Sequence, residues 1–247
     1  MKTVTRALVV RSVDYKDSDK ILTLLTPDMG KLSAGARGCR KKGSAIAAAC
    51  QLLCWSELVL SDRGGKWSVS EASTLREFLG VRRDLDKLAL ACYFAEMAEV
   101  LSVEGMPSPG LLSLTLNSLH ALECLDRPPE QIKAVFELKA MCLAGYEPLI
   151  EGCALCGEEN PEQAWFHLRE GVFCCARCRE SGDGWVPLTP GMLAAMRHVV
   201  YGDDKRLFSF RLGGEDLGAL SRLTEDYVQT QLERGFGTLD FYHQMKM

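Results

Sequence analysis

The 247-residue chain contains no apolar run approaching the ~20 residues that a membrane-spanning helix requires, so no such helix is expected in it. Its opening, Met1-Lys2-Thr3-Val4-Thr5-Arg6, lacks the apolar stretch of a secretory signal, which predicts a cytoplasmic protein with no membrane partner. Positive charge is not in excess either. A net charge of −4 and a pI near 5.7 exclude a protein that coats nucleic acid with its whole surface, so any such contact must come from a local basic face.

Catalytic constellations are also missing. There is no His-Glu-x-x-His, Gly-x-Ser-x-Gly or Gly-x-Gly-x-x-Gly. The four histidines, His120, His167, His198 and His243, are far apart and none stands beside a candidate nucleophile. Gly38-Cys39-Arg40-Lys41-Lys42-Gly43-Ser44 approximates a phosphate-binding loop but lacks the Lys required between the second Gly and the Ser. The chain is therefore expected not to be an enzyme. Asp14, Asp17 and Asp19, in a loop between two strands, read as turn formers.

Cysteine is abundant. Of eleven cysteines, four form the two pairs Cys153-Ala-Leu-Cys156 and Cys175-Ala-Arg-Cys178, and the other seven are scattered singly, which fits reduced thiols. Two Cys-x-x-Cys pairs at this separation predict a four-thiolate zinc site, because each tight turn offers two sulfurs and a hairpin fits between them. Such a site is closed to water and substrate, so one structural Zn2+ per chain is expected. It would contribute on the order of 10 kcal/mol to folding a small unit with little core of its own. Cys175, not its neighbour Cys174, restores the spacing to Cys178, so Cys174 is assigned to packing. His167 is read as a strand residue, with a ligand role as the alternative. A redox dithiol is the competing use of such pairs.

The first 80 residues read as β structure, with strands over 4–13, 21–26, 31–36, 53–60 and 67–70 punctuated by Pro27-Asp28-Met29-Gly30 and Arg63-Gly64-Gly65-Lys66. Five short strands suggest a small closed barrel of the oligonucleotide-binding (OB) type, with an SH3-like barrel as the alternative. From Leu75 the period becomes helical: residues 86–103, a helix opened by Ser108-Pro109, another from Pro128-Pro129-Glu130 to Gly145, one after Thr189-Pro190 and a long one over 215–233. The fold class is thus α+β multidomain: an OB domain over 1–80, a helical domain over 81–247 and a zinc-finger insertion over 151–180. Within the barrel, Lys31, Arg37, Arg40, Lys41 and Lys42 form a basic run free of Asp and Glu. Its glycines, Gly35, Gly38 and Gly43, allow close backbone approach, which makes these five cations the candidate DNA contacts.

Ala7-Leu8-Val9-Val10, Asp14-Tyr15, Asp19, Leu24-Leu25-Thr26, Gly30-Lys31 and Ala36-Arg37-Gly38-x-Arg40-Lys41 resemble the opening of the bacterial RecO recombination-mediator family. The cysteine pairs, preceded by Glu137-Leu138-Lys139 and Gly145-Tyr146-Glu147-Pro148, fall where many members carry zinc. The resemblance implies an OB domain, a helical domain and an embedded zinc finger, with DNA contacts at Arg37, Arg40 and Lys41. It further implies a non-enzymatic role: binding single- and double-stranded DNA, annealing complementary strands and acting with RecR to load RecA onto DNA coated by single-strand-binding protein. A zinc-stabilised protein adaptor with little DNA affinity of its own is the alternative.

Overall fold

The structure, a computed structural model, describes residues 2–246. It divides into two compact units, one running to Leu125 and resumed at Phe236, the other Asp126–Gly235.

The first unit begins with five strands, β1 (Lys2–Tyr15), β2 (Asp19–Thr26), β3 (Gly30–Ala36), β4 (Trp55–Arg63) and β5 (Lys66–Arg76). They close into a barrel in the order β1-β2-β3-β5-β4. Alternation sets the faces: along β3, Leu32, Ala34 and Ala36 point into the barrel core while the residues between them do not. β1 is long enough to pair antiparallel with both β2 and β4, and an irregularity between Val9 and Arg11 lets it bend from one partner to the other. Closure comes from a short parallel contact, Ala34 opposite Trp67 and Gly35 opposite Ser68. This is an OB-like barrel. Its interior is filled by Ala7, Val9, Leu22, Leu24, Leu58 and Leu60, with Cys39 and Cys50 supplied by the turn-rich segment between β3 and β4.

Strands β4 and β5 extend beyond the lengths expected from sequence. Leu53, counted there as a strand residue, instead adopts φ 63° before β4 while remaining buried. A one-turn helix α1 (Leu79–Arg82) leads to α2 (Leu85–Leu101) and α3 (Pro109–Cys124). Asp84 caps α2 through its carboxylate, which accepts from the Asp86 and Lys87 amides. Leu90, Tyr93, Phe94 and Met97 are buried on α2 at helical spacing, and Ala89, Ala91 and Ala95 are buried as well. The cause is enclosure: β1, α1, α3 and a final helix α7 (Gly237–Met245) all pack on α2. Phe236 meets Tyr93 edge to face at 5.4 Å, and the Thr238 amide donates to Glu96 at 3.1 Å.

The second unit holds α4 (Pro129–Leu143), α5 (Pro190–Tyr201), α6 (Gly214–Leu232) and a sheet ordered β7-β6-β8, made of β6 (Ala164–His167), β7 (Val172–Cys175) and β8 (Trp185–Leu188). Thr189 caps α5, accepting from the Met192 amide as its Thr-Pro signal predicts. Between α4 and α6 lies a buried ionic cluster. Lys133, 1% exposed, reaches Glu137 Oε1 at 3.0 Å and Glu225 Oε2 at 2.9 Å and donates to the Ser221 carbonyl at 2.9 Å. Thr224 Oγ1 donates to Glu137 Oε2 at 2.7 Å. Burial opposes the charge on Lys133, but the two carboxylates outweigh it and hold the ammonium above its ordinary pKa.

A cationic groove and a four-thiolate cluster

Two hairpin turns and the end of β3 bound a groove of about 660 Å3 on the barrel. The turn from β1 to β2 contributes Tyr15, Lys16 and Lys20, the end of β3 contributes Arg37, and the turn from β4 to β5 contributes Arg63, Lys66 and Trp67. Gly64 and Gly65, both at positive φ, form that second turn, whose Gly65 amide donates to Asp62 Oδ1 at 2.8 Å. Five cations thus surround two aromatic rings. Asp19 and Glu104 are the acidic residues in the lining.

Of the five basic residues singled out from sequence, Arg37 lines this groove. Lys41 and Lys42 are exposed on the turn beyond it. Arg40 is a brace: its guanidinium reaches Asp14 at 3.2 Å and the Lys16 carbonyl at 3.4 Å, and its amide donates to the Ser18 carbonyl at 2.9 Å. Lys31 lies at the opposite end of β3, where its ammonium donates at 2.7 Å to the Glu99 carbonyl in the last turn of α2, a favourable cation site. Asp14, Asp17 and Asp19 are expected in a loop, but Asp14 lies in β1 and Asp19 opens β2, so of the three only Asp17 sits in the turn, and Asp19 acts instead as a tether to a distant segment. Its carboxylate accepts from the Gly38 amide at 2.8 Å, and this bond keeps it below the ordinary aspartate pKa. Asp14 and Asp19 therefore tie the basic segment to the β1–β2 turn.

The groove residues Lys16, Lys20, Arg63, Lys66, Tyr15 and Trp67 escaped sequence reasoning. Two separated segments, the β1–β2 and β4–β5 turns, supply them, and neither forms a basic run alone. The available signal was that both hairpin turns of an OB barrel lie beside its ligand-binding face.

In the second unit the sulfurs of Cys153, Cys156, Cys175 and Cys178 lie within 4.8 Å of one another. Cys156 Sγ and Cys175 Sγ are 3.8 Å apart, matching the ~3.8 Å edge of a tetrahedron whose centre is ~2.3 Å from each sulfur. The sequence forms this cluster through two knuckles. Gly157 at φ 75° completes the first turn, its amide donating to the Cys153 carbonyl at 2.9 Å, and the Cys178 amide closes the second on Cys175. Burial raises the Cys153 thiol pKa, yet amide donors outweigh it, led by Cys175 N at 3.4 Å from Cys153 Sγ. The thiol is brought down to about 6. A preformed set of soft donors with amide support can hold a metal ion. Cys174 lies outside the set, its thiol pushed up to about 11 by burial and by Cys153. His167 is a strand residue, its ring 4.7 Å from that of Trp185 and its Nδ1 accepting from the Glu170 amide.

His120, Glu123 and Cys124 form a second cluster of candidate metal donors on α3. The Arg76 guanidinium already occupies it, 2.8 Å from His120 Nδ1 and 2.7 Å from Glu123 Oε2.

The fold and these sites define a class: an OB-like barrel bearing a cationic, aromatic groove, joined in one chain to a helical unit with a four-thiolate cluster. Residues 1–78 match the family described as Recombination protein O N terminal, and residues 82–240 match Recombination protein O C terminal. Relatives named DNA repair protein RecO include that of Acetivibrio thermocellus, 32% identical over 96% of this chain and 94% of its own length. That of Symbiobacterium thermophilum is 32% identical over 95% and 94%, and that of Caldicellulosiruptor saccharolyticus 27% over 98% of each. The chain belongs to the RecO family. Membership places it in DNA repair and recombination, with DNA and recombination machinery as its partners. Among the described residues, no helix is long and apolar enough to cross a membrane.

Proposed function

We propose that the protein is a non-enzymatic, cytoplasmic, nucleoid-associated recombination mediator whose residues 1–80 bind single- and double-stranded DNA. It anneals complementary strands and, with RecR, promotes RecA loading onto DNA coated by single-strand-binding protein. Residues 81–247 form the helical part, and the 151–180 insertion is held by one structural Zn2+ at Cys153, Cys156, Cys175 and Cys178.

The observation that carries the DNA reading is the convergence of Lys16, Lys20, Arg37, Arg63 and Lys66 around Tyr15 and Trp67. Spaced cations neutralise phosphates without reading sequence, and the ring of exposed Tyr15, with the accessible part of half-buried Trp67, accepts bases of any identity. Lys41 and Lys42 extend the cationic path, while Arg40 and Lys31 act through the turn and helix that they hold. Annealing requires backbone repulsion between two strands to be lowered while base edges stay free. A local basic groove on an acidic chain meets both conditions and limits non-specific affinity.

The test is fluorescence anisotropy of a labelled single-stranded oligonucleotide across a salt series. Three to five phosphate contacts give a log-log slope of about −2 to −3.5. Replacing Lys20, Arg37 and Lys66 together by Ala reduces its magnitude by about 2. Absence of binding by the unmodified protein at low salt would overturn the reading in favour of a zinc-stabilised protein adaptor.

A further inference from the structure

Glu104 is a carboxylate in a groove otherwise built for anions. It belongs to none of the five strands, entering from the connection between α2 and α3, and has no ion pair among the described residues. Its position is fixed. Glu104 bridges Lys31 on the free edge of β3, and the Gly105 amide donates to the Lys31 carbonyl at 3.0 Å. Met106 rides against Gly30, which has φ 66°; a Cβ there would fall 2.1 Å from the Met106 carbonyl oxygen. The connection is thus strapped onto the barrel by main-chain contacts. Asp19, the other carboxylate in the lining, is engaged by the Gly38 amide, so Glu104 is the free one. On the Lys31 side of the strap that lysine is itself engaged by Glu99, leaving no free cation of the basic run there to continue a phosphate track.

We infer that Glu104 is a specificity-determining residue of the barrel that ends the phosphate path along β3, limiting how tightly and over what length a single strand is held. The inference rests on the DNA-binding reading above. A fixed negative charge repels the phosphate that would otherwise follow those at Arg37 and Lys20, so a bound strand turns away at this point. For a mediator that must release DNA, this sets an upper bound on grip.

The test compares Glu104→Gln and Glu104→Lys with the unmodified protein, using anisotropy on single strands of increasing length over a salt series. Glu104→Gln should tighten binding about two- to fivefold at 0.1 M salt, the range of one exposed charge pair. Glu104→Lys should tighten it further, steepen the slope by about 0.7 and keep gaining affinity with strand length after the unmodified protein stops. Glu57→Lys on β4, outside the groove lining, makes the same change in net charge and should leave slope and length dependence unchanged. Salt-dependent binding by the unmodified protein that Glu104→Lys does not alter, or that Glu57→Lys alters equally, overturns the role of Glu104 and leaves the DNA reading standing. No salt-dependent binding by the unmodified protein overturns the DNA reading itself.

Discussion

Replacing Lys133 by Met removes a cation from among two carboxylates while keeping nearly the same volume. Glu137 is 0% exposed and bonds with both oxygens to the Lys133–Thr224 cluster, so it cannot regain water; Glu225, 18% exposed, can swing outward. Stranded in an apolar setting, Glu137 becomes protonated. Neutralising a glutamate of ordinary pKa ~4.3 at pH 7 costs about 3.7 kcal/mol, at about 1.36 kcal/mol per pH unit, within the ~3–5 kcal/mol typical of a broken buried pair. The folded variant binds a proton that its unfolded chain releases, so its stability falls as pH rises above ~4.3. The deficit therefore shrinks to about 1.6 kcal/mol at pH 5.5. In the unmodified protein Lys133 has a raised pKa, so its contribution is complete below ~10.4 and is lost only as pH rises through the folded value. It is constant across this window. Urea unfolding of both proteins at pH 5.5 and 7 measures the difference. A loss below about 1 kcal/mol at pH 7, or one that does not shrink at pH 5.5, would refute the charge argument, whereas Lys133→Met with Glu137→Leu should recover most of the stability.

Two further outcomes are expected. Purified protein should contain about one zinc per chain by elemental analysis. Cys153→Ser or Cys178→Ser should lose it and loosen the insert first, and a full zinc complement in both would remove the four-thiolate assignment. Trp67→Ala should weaken single-strand binding by about 1–3 kcal/mol with little change in salt slope, because stacking carries no charge; a changed slope with unchanged affinity would place the strand elsewhere.

The OB-like barrel was legible because its strands carry period-two burial and are separated by strong turn chemistry at Pro27–Gly30 and Arg63–Lys66. The thiolate cluster was legible because four ligands in two short turns are nearly a local property. The helix over 237–245 was not: with only Leu239 and Tyr242 buried, its apolar signal is weak, and it is stabilised by its contact with α2. The basic run was also an incomplete guide. Consecutive cations look alike in sequence, but Arg37 enters the groove, Arg40 braces a turn and Lys31 caps a helix.

What the sequence determined by itself, then, is what depends on near neighbours: strand alternation, hairpin turns, helix caps and the two Cys-x-x-Cys knuckles. Only the tertiary structure decided which cations share one surface, that Glu104 stands among them, and that Lys133, Glu137 and Glu225 meet in a core. Barrel closure and helix packing bring together residues that no local pattern links. Charges act through distance in space, and sequence separation carries little information about that.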